Sequence, residues 1–165
     1  MREIIVKLYK FEELTEKAKE KARDWFRAGY DGQFEWDYVR EDAEEIGLKI
    51  TELRPTGIQG DNHGEFVTTA RECAEKVLKD HGDTCETFKD ARAYLKEIDA
   101  LELDEDGEYK DQDTADEITR EFKRSLLEDY RVMLEEAHEY RNSAECIDED
   151  MAANEYEFTE DGERA

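Results

Sequence analysis

Residues 114–140 read TADEITREFKRSLLEDYRVMLEEAHEY, and this stretch decides the fold. Apolar side chains recur along it at intervals of three or four residues, which places them on one face of an α-helix. They are Ile118, Phe122, Leu126, Tyr130, Met133, Ala137 and Tyr140. The sequence therefore predicts one long amphipathic helix over residues 114–140.

Shorter elements surround this helix. Apolar spacing, with Thr15 and Thr69 as N-caps and glycines as stops, predicts helices over residues 15–29, 36–47 and 69–82, and a fourth that starts at Asp83 or Thr87. A short helix follows Asn142 or Ser143. Alternating apolar residues predict strands over residues 3–9 and 48–53, a strand, turn and strand over 56–67, and a hairpin around Asp106 and Gly107.

The C-terminal stretch ANEYEFTEDG, residues 153–162, alternates two aromatic residues with acids, as a half-buried strand does. We expect Tyr156 and Phe158 to anchor a terminal strand beside Ile4, Val6 and Leu8. Strands and helices alternate along the chain without a βαβ rhythm. The sequence thus predicts a single α+β domain over residues 1–165, with a small, mostly antiparallel sheet, five or six helices and one long helix near the C-terminus.

The charge of the chain is strongly acidic and unevenly distributed. The net charge is −24; residues 1–98 carry 23 acids and 17 bases, whereas residues 99–165 carry 25 acids and 7 bases. Such a field repels nucleic acid and anionic membranes and attracts basic surfaces. We therefore expect no direct binding to nucleic acid or membrane, and a partner with a basic surface.

Few residues suggest catalysis or a bound cofactor. The three cysteines lack metal-binding spacing and indicate reduced thiols in a cytoplasmic protein, and the charged N-terminus is no signal peptide. Nucleotide-binding, hydrolase and zinc-protease motifs are absent. His63, His81 and His138 lie apart, so we expect surface or capping roles for them. The sequence thus predicts a protein that is not an enzyme and has no cofactor or metal.

Two local patterns leave alternatives open. Glu102, Asp104, Asp106, Gly107 and Asp113 fall at calcium-loop positions, but the first and last ligands are atypical and Lys110 takes position 9. A weak calcium site or a simple hairpin turn explains them. In the QGDNHG turn, residues 59–64, Asp61 and His63 form the polar pair that a small enzyme would use.

The acids concentrate in two zones. Residues 99–117 hold ten acids and one base, and residues 142–165 hold nine acids and one base. Carboxylates repeating along such surfaces can occupy a phosphate-binding groove of a nucleic-acid-binding protein, which is the DNA-mimic hypothesis. The plain alternative is a charged, solvated face that keeps the domain soluble.

Three stretches resemble a family of small, largely uncharacterised proteins of bacteriophages and prophages. They are LYKFEELTEKAKEKARDWFR at residues 8–27, IQGDNHGEF at 58–66, with two residues inserted before Gly64, and ANEYEFTEDG at 153–162. The resemblance implies a phage accessory protein that acts in the host bacterial cytoplasm against a defence system. Many phage inhibitors of CRISPR effectors and restriction enzymes are small, acidic and non-enzymatic, and several imitate DNA.

Together these observations predict an anti-defence inhibitor that binds a basic, nucleic-acid-handling host protein. An antitoxin-like regulatory module that binds through apolar side chains is the alternative, and a homodimer stays open. The carboxylates expected to bind the partner are Glu102, Asp104, Glu105, Asp106, Glu108, Asp111, Asp113, Glu145, Asp148, Glu149 and Asp150.

Overall fold

The computed structural model describes residues 1–54 and 61–165 and has the predicted α+β architecture. The described residues contain six α-helices: α1 Glu16–Ala28, α2 Gln33–Glu45, α3 Ala70–Asp80, α4 Glu86–Asp99, α5 Gln112–Arg141 and α6 Ala144–Ala153. The strands are β1 Tyr9–Lys10, β2 Leu48–Glu52, β3 His63–Phe66 and β4 Glu157–Phe158, paired as two antiparallel ladders, β1 with β4 and β2 with β3. Among the described residues, no helix is both long and apolar enough to cross a membrane.

The described residues form two compact units. The first contains Met1–Gln33 and Ala137–Ala165, and the second contains Phe34–Glu136, so α5 runs from the second unit into the first. The prediction of a single domain stays a prediction, because this division does not show whether either unit folds alone.

The core of the first unit lies between α1, α6 and the small β1–β4 ladder. The hydroxyl of Thr15 accepts the N–H of Ala18 at the start of α1, and that of Ser143 accepts the N–H of Cys146 at the start of α6. These caps satisfy backbone N–H groups in the first turn of each helix. The buried side chains are Phe11, Leu14, Ala18, Ala22, Ile147, Met151 and Phe158.

The C-terminal strand forms, but its partner differs from the prediction. Phe158 is fully buried and pairs with Tyr9 rather than with Ile4, Val6 or Leu8. The expected strand over residues 3–9 is wrong, because β4 is only two residues long and the turn that follows it ends the ladder. Gly162 closes this turn with a φ of +88°, close against the backbone of α1.

The second unit packs α2, α3, α4 and the first part of α5 with the β2–β3 ladder. Thr69 and Glu72 form a capping box at the start of α3, as the Thr69 cap predicts. Helix α4 begins after Cys85, between the two predicted starts. The core of the second unit contains fully buried side chains from several of these elements, among them Val39, Leu48, Val77, Leu126 and Tyr130.

The predicted hairpin around Asp106 and Gly107 forms in the second unit. Leu103 and Tyr109 make an antiparallel bridge, and Gly107 adopts a φ of +81° in the turn. Part of the predicted strand, turn and strand, residues 56–60 with Gly57 and Gly60, lies outside the described residues.

Candidate functional site

The predicted carboxylates of residues 102–113 lie together on one exposed segment of the second unit. We call this segment the hairpin surface; it consists of Glu102, Asp104, Glu105, Asp106, Glu108, Asp111 and Asp113, all of them exposed. The first five lie on the hairpin. Asp111 precedes α5 and Asp113 lies in its first turn.

Three of these carboxylates are used within the chain. Asp104 Oδ1 accepts the backbone N–H groups of Asp106 and Glu108, both at 2.9 Å, which shapes the turn. Asp111 accepts the hydroxyl of Thr114 at 2.7 Å and its N–H at 3.0 Å, so it caps α5. These hydrogen bonds, with the hydroxyl first, lower the pKa of Asp111. Glu102 is 3.2 Å from the ammonium of Lys110.

The other four, Glu105, Asp106, Glu108 and Asp113, have no cation within ion-pair distance in the part of the chain that the structure describes. Within the described residues, several acids on the helices do pair with a base one turn away, whereas others, such as Glu41 of α2, do not. Examples of such pairs are Glu16 with Lys19, Glu86 with Lys89 and Glu117 with Arg120. The hairpin surface therefore presents four carboxylates to solvent without internal compensation.

The calcium-loop alternative finds no support in this geometry. Asp104 turns one carboxylate oxygen toward the backbone N–H groups of Asp106 and Glu108. Within residues 1–54 and 61–165, no group of three or more His, Cys, Asp or Glu side chains is arranged to hold a metal ion.

The predicted carboxylates of α6 have divided roles. Asp148 forms a two-pronged ion pair with Arg23 of α1, with Nε–Oδ1 and Nη2–Oδ2 distances of 2.7 Å. The pair joins α1 to α6, and the Arg23 side chain is largely buried. The hydrogen bonds to Asp148 raise the pKa of the Arg23 guanidinium. Asp150 accepts the side-chain amide of Asn154 at 3.2 Å. Sequence reasoning grouped Asp148 with the partner-binding acids, whereas here its carboxylate is occupied.

Glu145 and Glu149 are the two exposed acids of this set, and they lie one turn apart on α6. Neither has a cation within ion-pair distance among the described residues. They belong to the first unit, whereas the hairpin surface belongs to the second.

A polar network in the second unit escaped the sequence analysis. Tyr130 of α5 donates its hydroxyl to Asp42 Oδ2 of α2 at 2.8 Å, and the same oxygen lies 3.8 Å from His81 Nε2. His81 Nδ1 is 2.6 Å from Thr87 Oγ1. The backbone N–H of His81 also donates to Val77 O at the end of α3, so the expected capping role is present as well.

This network borders an open cleft of about 520 Å³ that Asp129 also lines. Oxygen Oδ2 of Asp129 is buried without a hydrogen-bond donor in the described part of the chain. Burial first, and then the neighbouring Asp90 carboxyl, raise the pKa of Asp129 to about 8. The Asp129 carboxyl therefore favours its protonated form at neutral pH.

One sequence signal could have found Asp129. It stands three residues after Leu126 and four before Met133, which places an acid on the apolar stripe of α5. No comparable signal marks Asp42 or His81, because their contacts join segments far apart in sequence.

Asp61 and His63, the polar pair of the QGDNHG turn, lie next to the undescribed residues 55–60. The Asp61 carboxylate lies 3.8 Å from Arg54, and His63 is exposed in β3.

Comparison with known proteins found no match to the chain among protein-family models, curated proteins or solved structures.

Proposed function

We propose that this protein is an acidic inhibitor that binds a basic, nucleic-acid-handling protein of the host, such as a CRISPR effector or restriction enzyme. It would act as a DNA mimic. The observation that carries the proposal is the set of four hairpin carboxylates without an internal cation. Their negative charge is available to the Lys and Arg side chains that normally contact phosphates.

The charge of the whole chain supports the same function. A net charge of −24 speeds encounter with a basic partner and opposes binding to nucleic acid itself. Glu145 and Glu149 of α6 offer a second contact of the same kind. The resemblance to phage proteins favours a host defence protein as the target.

The test is capture of partners from bacterial lysate with the wild-type protein and with the double variant Glu105→Lys/Asp106→Lys. We expect the variant to lose the captured partner, because two attractive contacts become repulsive. Added duplex DNA should displace the partner from the wild-type protein, and binding should weaken steeply with salt. The captured protein is then assayed for nucleic-acid cleavage with and without the inhibitor.

The double variant Glu41→Lys/Glu75→Lys is the matched control. It makes the same change in net charge at exposed acids of α2 and α3, outside the hairpin surface. We expect it to keep the partner. Equal loss of binding in both double variants would mean that net charge alone, and not the hairpin surface, causes the effect. Binding to the partner that changes neither with salt nor with added DNA would contradict the DNA-mimic proposal.

An antitoxin-like module that binds through apolar side chains is the second candidate. Phe34 and Tyr38 favour it, because they lie one turn apart on α2 and their exposed fractions are 79% and 59%. A partner that survives Glu105→Lys/Asp106→Lys but is lost with Phe34→Ala/Tyr38→Ala would support this candidate.

A further inference from the structure

The N-terminal segment Met1–Leu8, here called the arm, exposes a run of large apolar side chains. Ile4 is 85% exposed, Ile5 91% and Val6 60%. Their β-branched side chains are typical of a strand, yet the arm has no strand partner among the described residues. It lines an open cleft with the turn at residues 159–161, and that contact leaves its apolar side chains in solvent.

The arm leads directly into β1, whose pairing with β4 covers only Tyr9 and Lys10. One end of the arm is thus held by a folded ladder, while its backbone N–H and C=O groups are free to pair. An exposed segment of this kind is a template for pairing with another chain.

The arm is complementary to itself in one antiparallel register. When Ile5 lies opposite Ile5 of a second copy, Glu3 lies opposite Lys7 and Ile4 opposite Val6, each twice because of the two-fold symmetry. Shifting this register by one residue in one direction places Arg2 opposite Lys7, which sets two positive charges against each other. Shifting it in the other direction places Ile4 opposite Lys7, which sets an apolar side chain against a charge. A parallel in-register pair would set like charges side by side.

We propose that the arm is a dimerisation element, which pairs antiparallel with the arm of a second copy of this chain around Ile5. Net charge opposes the approach of two copies, because each carries −24. Arg2 and Lys7 outnumber Glu3, so the arm is locally basic. The arm is therefore a part of the surface on which two copies repel each other least.

The first test measures the mass of the full chain by sedimentation over a range of concentrations. We expect a dimer for the wild type, and we expect Glu3→Lys or Lys7→Glu to raise its dissociation constant about tenfold or more. Each substitution turns both symmetry-related Glu3–Lys7 pairs into pairs of like charge. The double variant Glu3→Lys/Lys7→Glu should restore the dimer. Glu12→Lys, the same change at an exposed residue outside the arm, should leave it intact.

The second test uses a disulfide across the proposed axis. In a Cys85→Ser background, which removes the exposed native thiol, Ile5→Cys should oxidise to a covalent dimer, since directly opposed residues lie within disulfide reach. Glu12→Cys should not. These arm residues are exposed, so the variants should keep the wild-type melting temperature. A wild-type chain that stays monomeric at every concentration, or a charge swap no better than the single reversals, would overturn the proposal.

Discussion

The Asp129 carboxyl offers the sharpest test of the structure, because it lies where a charge is unfavourable. Its pKa in the folded protein is raised to about 8, mainly by burial and then by Asp90, from a value of 3.8 in an unperturbed carboxyl. The folded state thus binds this proton more tightly than the unfolded state. The stabilising contribution is complete below about pH 4 and is lost as pH rises toward 8.

The magnitude follows from the size of the shift. At pH 7 the folded protein keeps this proton, whereas the unfolded chain releases it. At about 1.36 kcal/mol per pKa unit, the distance from the unperturbed pKa of 3.8 to pH 7 corresponds to a loss of about 4 kcal/mol in the free energy of unfolding, relative to low pH. Asp129 is partly exposed and solvent screens part of this effect, so we expect about 1–2 kcal/mol. Asp129→Asn removes the ionisable group and keeps its shape, and the Asn amide can donate to Asp90.

We therefore expect Asp129→Asn to be more stable than the wild type at pH 7–8, and the difference to shrink as pH falls toward 4. Urea unfolding of both proteins at pH 5, 6, 7 and 8 measures it. Asp83→Asn is the control, because it removes an equal charge from an exposed acid. A variant that is less stable at pH 8, or a difference that does not change with pH, would refute the assignment of a buried, proton-holding carboxyl.

Three further variants test the first unit by urea unfolding. Asp148→Asn should cost about 1–2 kcal/mol, because it breaks the two-pronged pair with Arg23; an unchanged midpoint would mean that the pair adds nothing. Gly162→Ala should destabilise by more than about 1 kcal/mol, since its φ is +88° and the added Cβ would lie 2.1 Å from the carbonyl oxygen of Ala18. Phe158→Ala should cost about 3–5 kcal/mol through loss of a fully buried ring, and a near-neutral effect would contradict the anchoring role of β4.

Local signals predicted the helices well. Thr15 and Thr69 were each expected to cap a helix, and Asn142 or Ser143 to cap the last one. The hydroxyls of Thr15, Thr69 and Ser143 each accept the backbone N–H three residues later. The long helix was expected over residues 114–140 and spans Gln112–Arg141. Capping and amphipathic spacing depend on residues three or four apart, so they can be recognised without knowing what packs against them.

The strand over residues 3–9 shows where the same approach failed. Its alternation is typical of a strand, but a strand also needs a partner that runs beside it, and the two residues of β4 pair only with Tyr9 and Lys10. Alternation carries no information about the length of the partner strand.

The sequence predicted which carboxylates form the candidate site, but it did not predict which of them remain without a partner inside the chain. The turn that exposes the hairpin carboxylates depends on Asp106 and Gly107, which are neighbours in sequence. Which carboxylates remain free depends on distant residues, as the pairing of Asp148 with Arg23 shows. Nothing in the spacing of the acids separates Asp148 from Glu149.

The sequence by itself determined the acidic charge, the helices with their caps, and the hairpin, because each depends on composition or on residues within about one helical turn. Only the tertiary structure decided which acids are neutralised, which carboxyl holds a proton, and which strand pairs with the C-terminus. Those outcomes require side chains such as Arg23 and Asp148, or Asp42 and Tyr130, to meet across segments that are far apart along the chain.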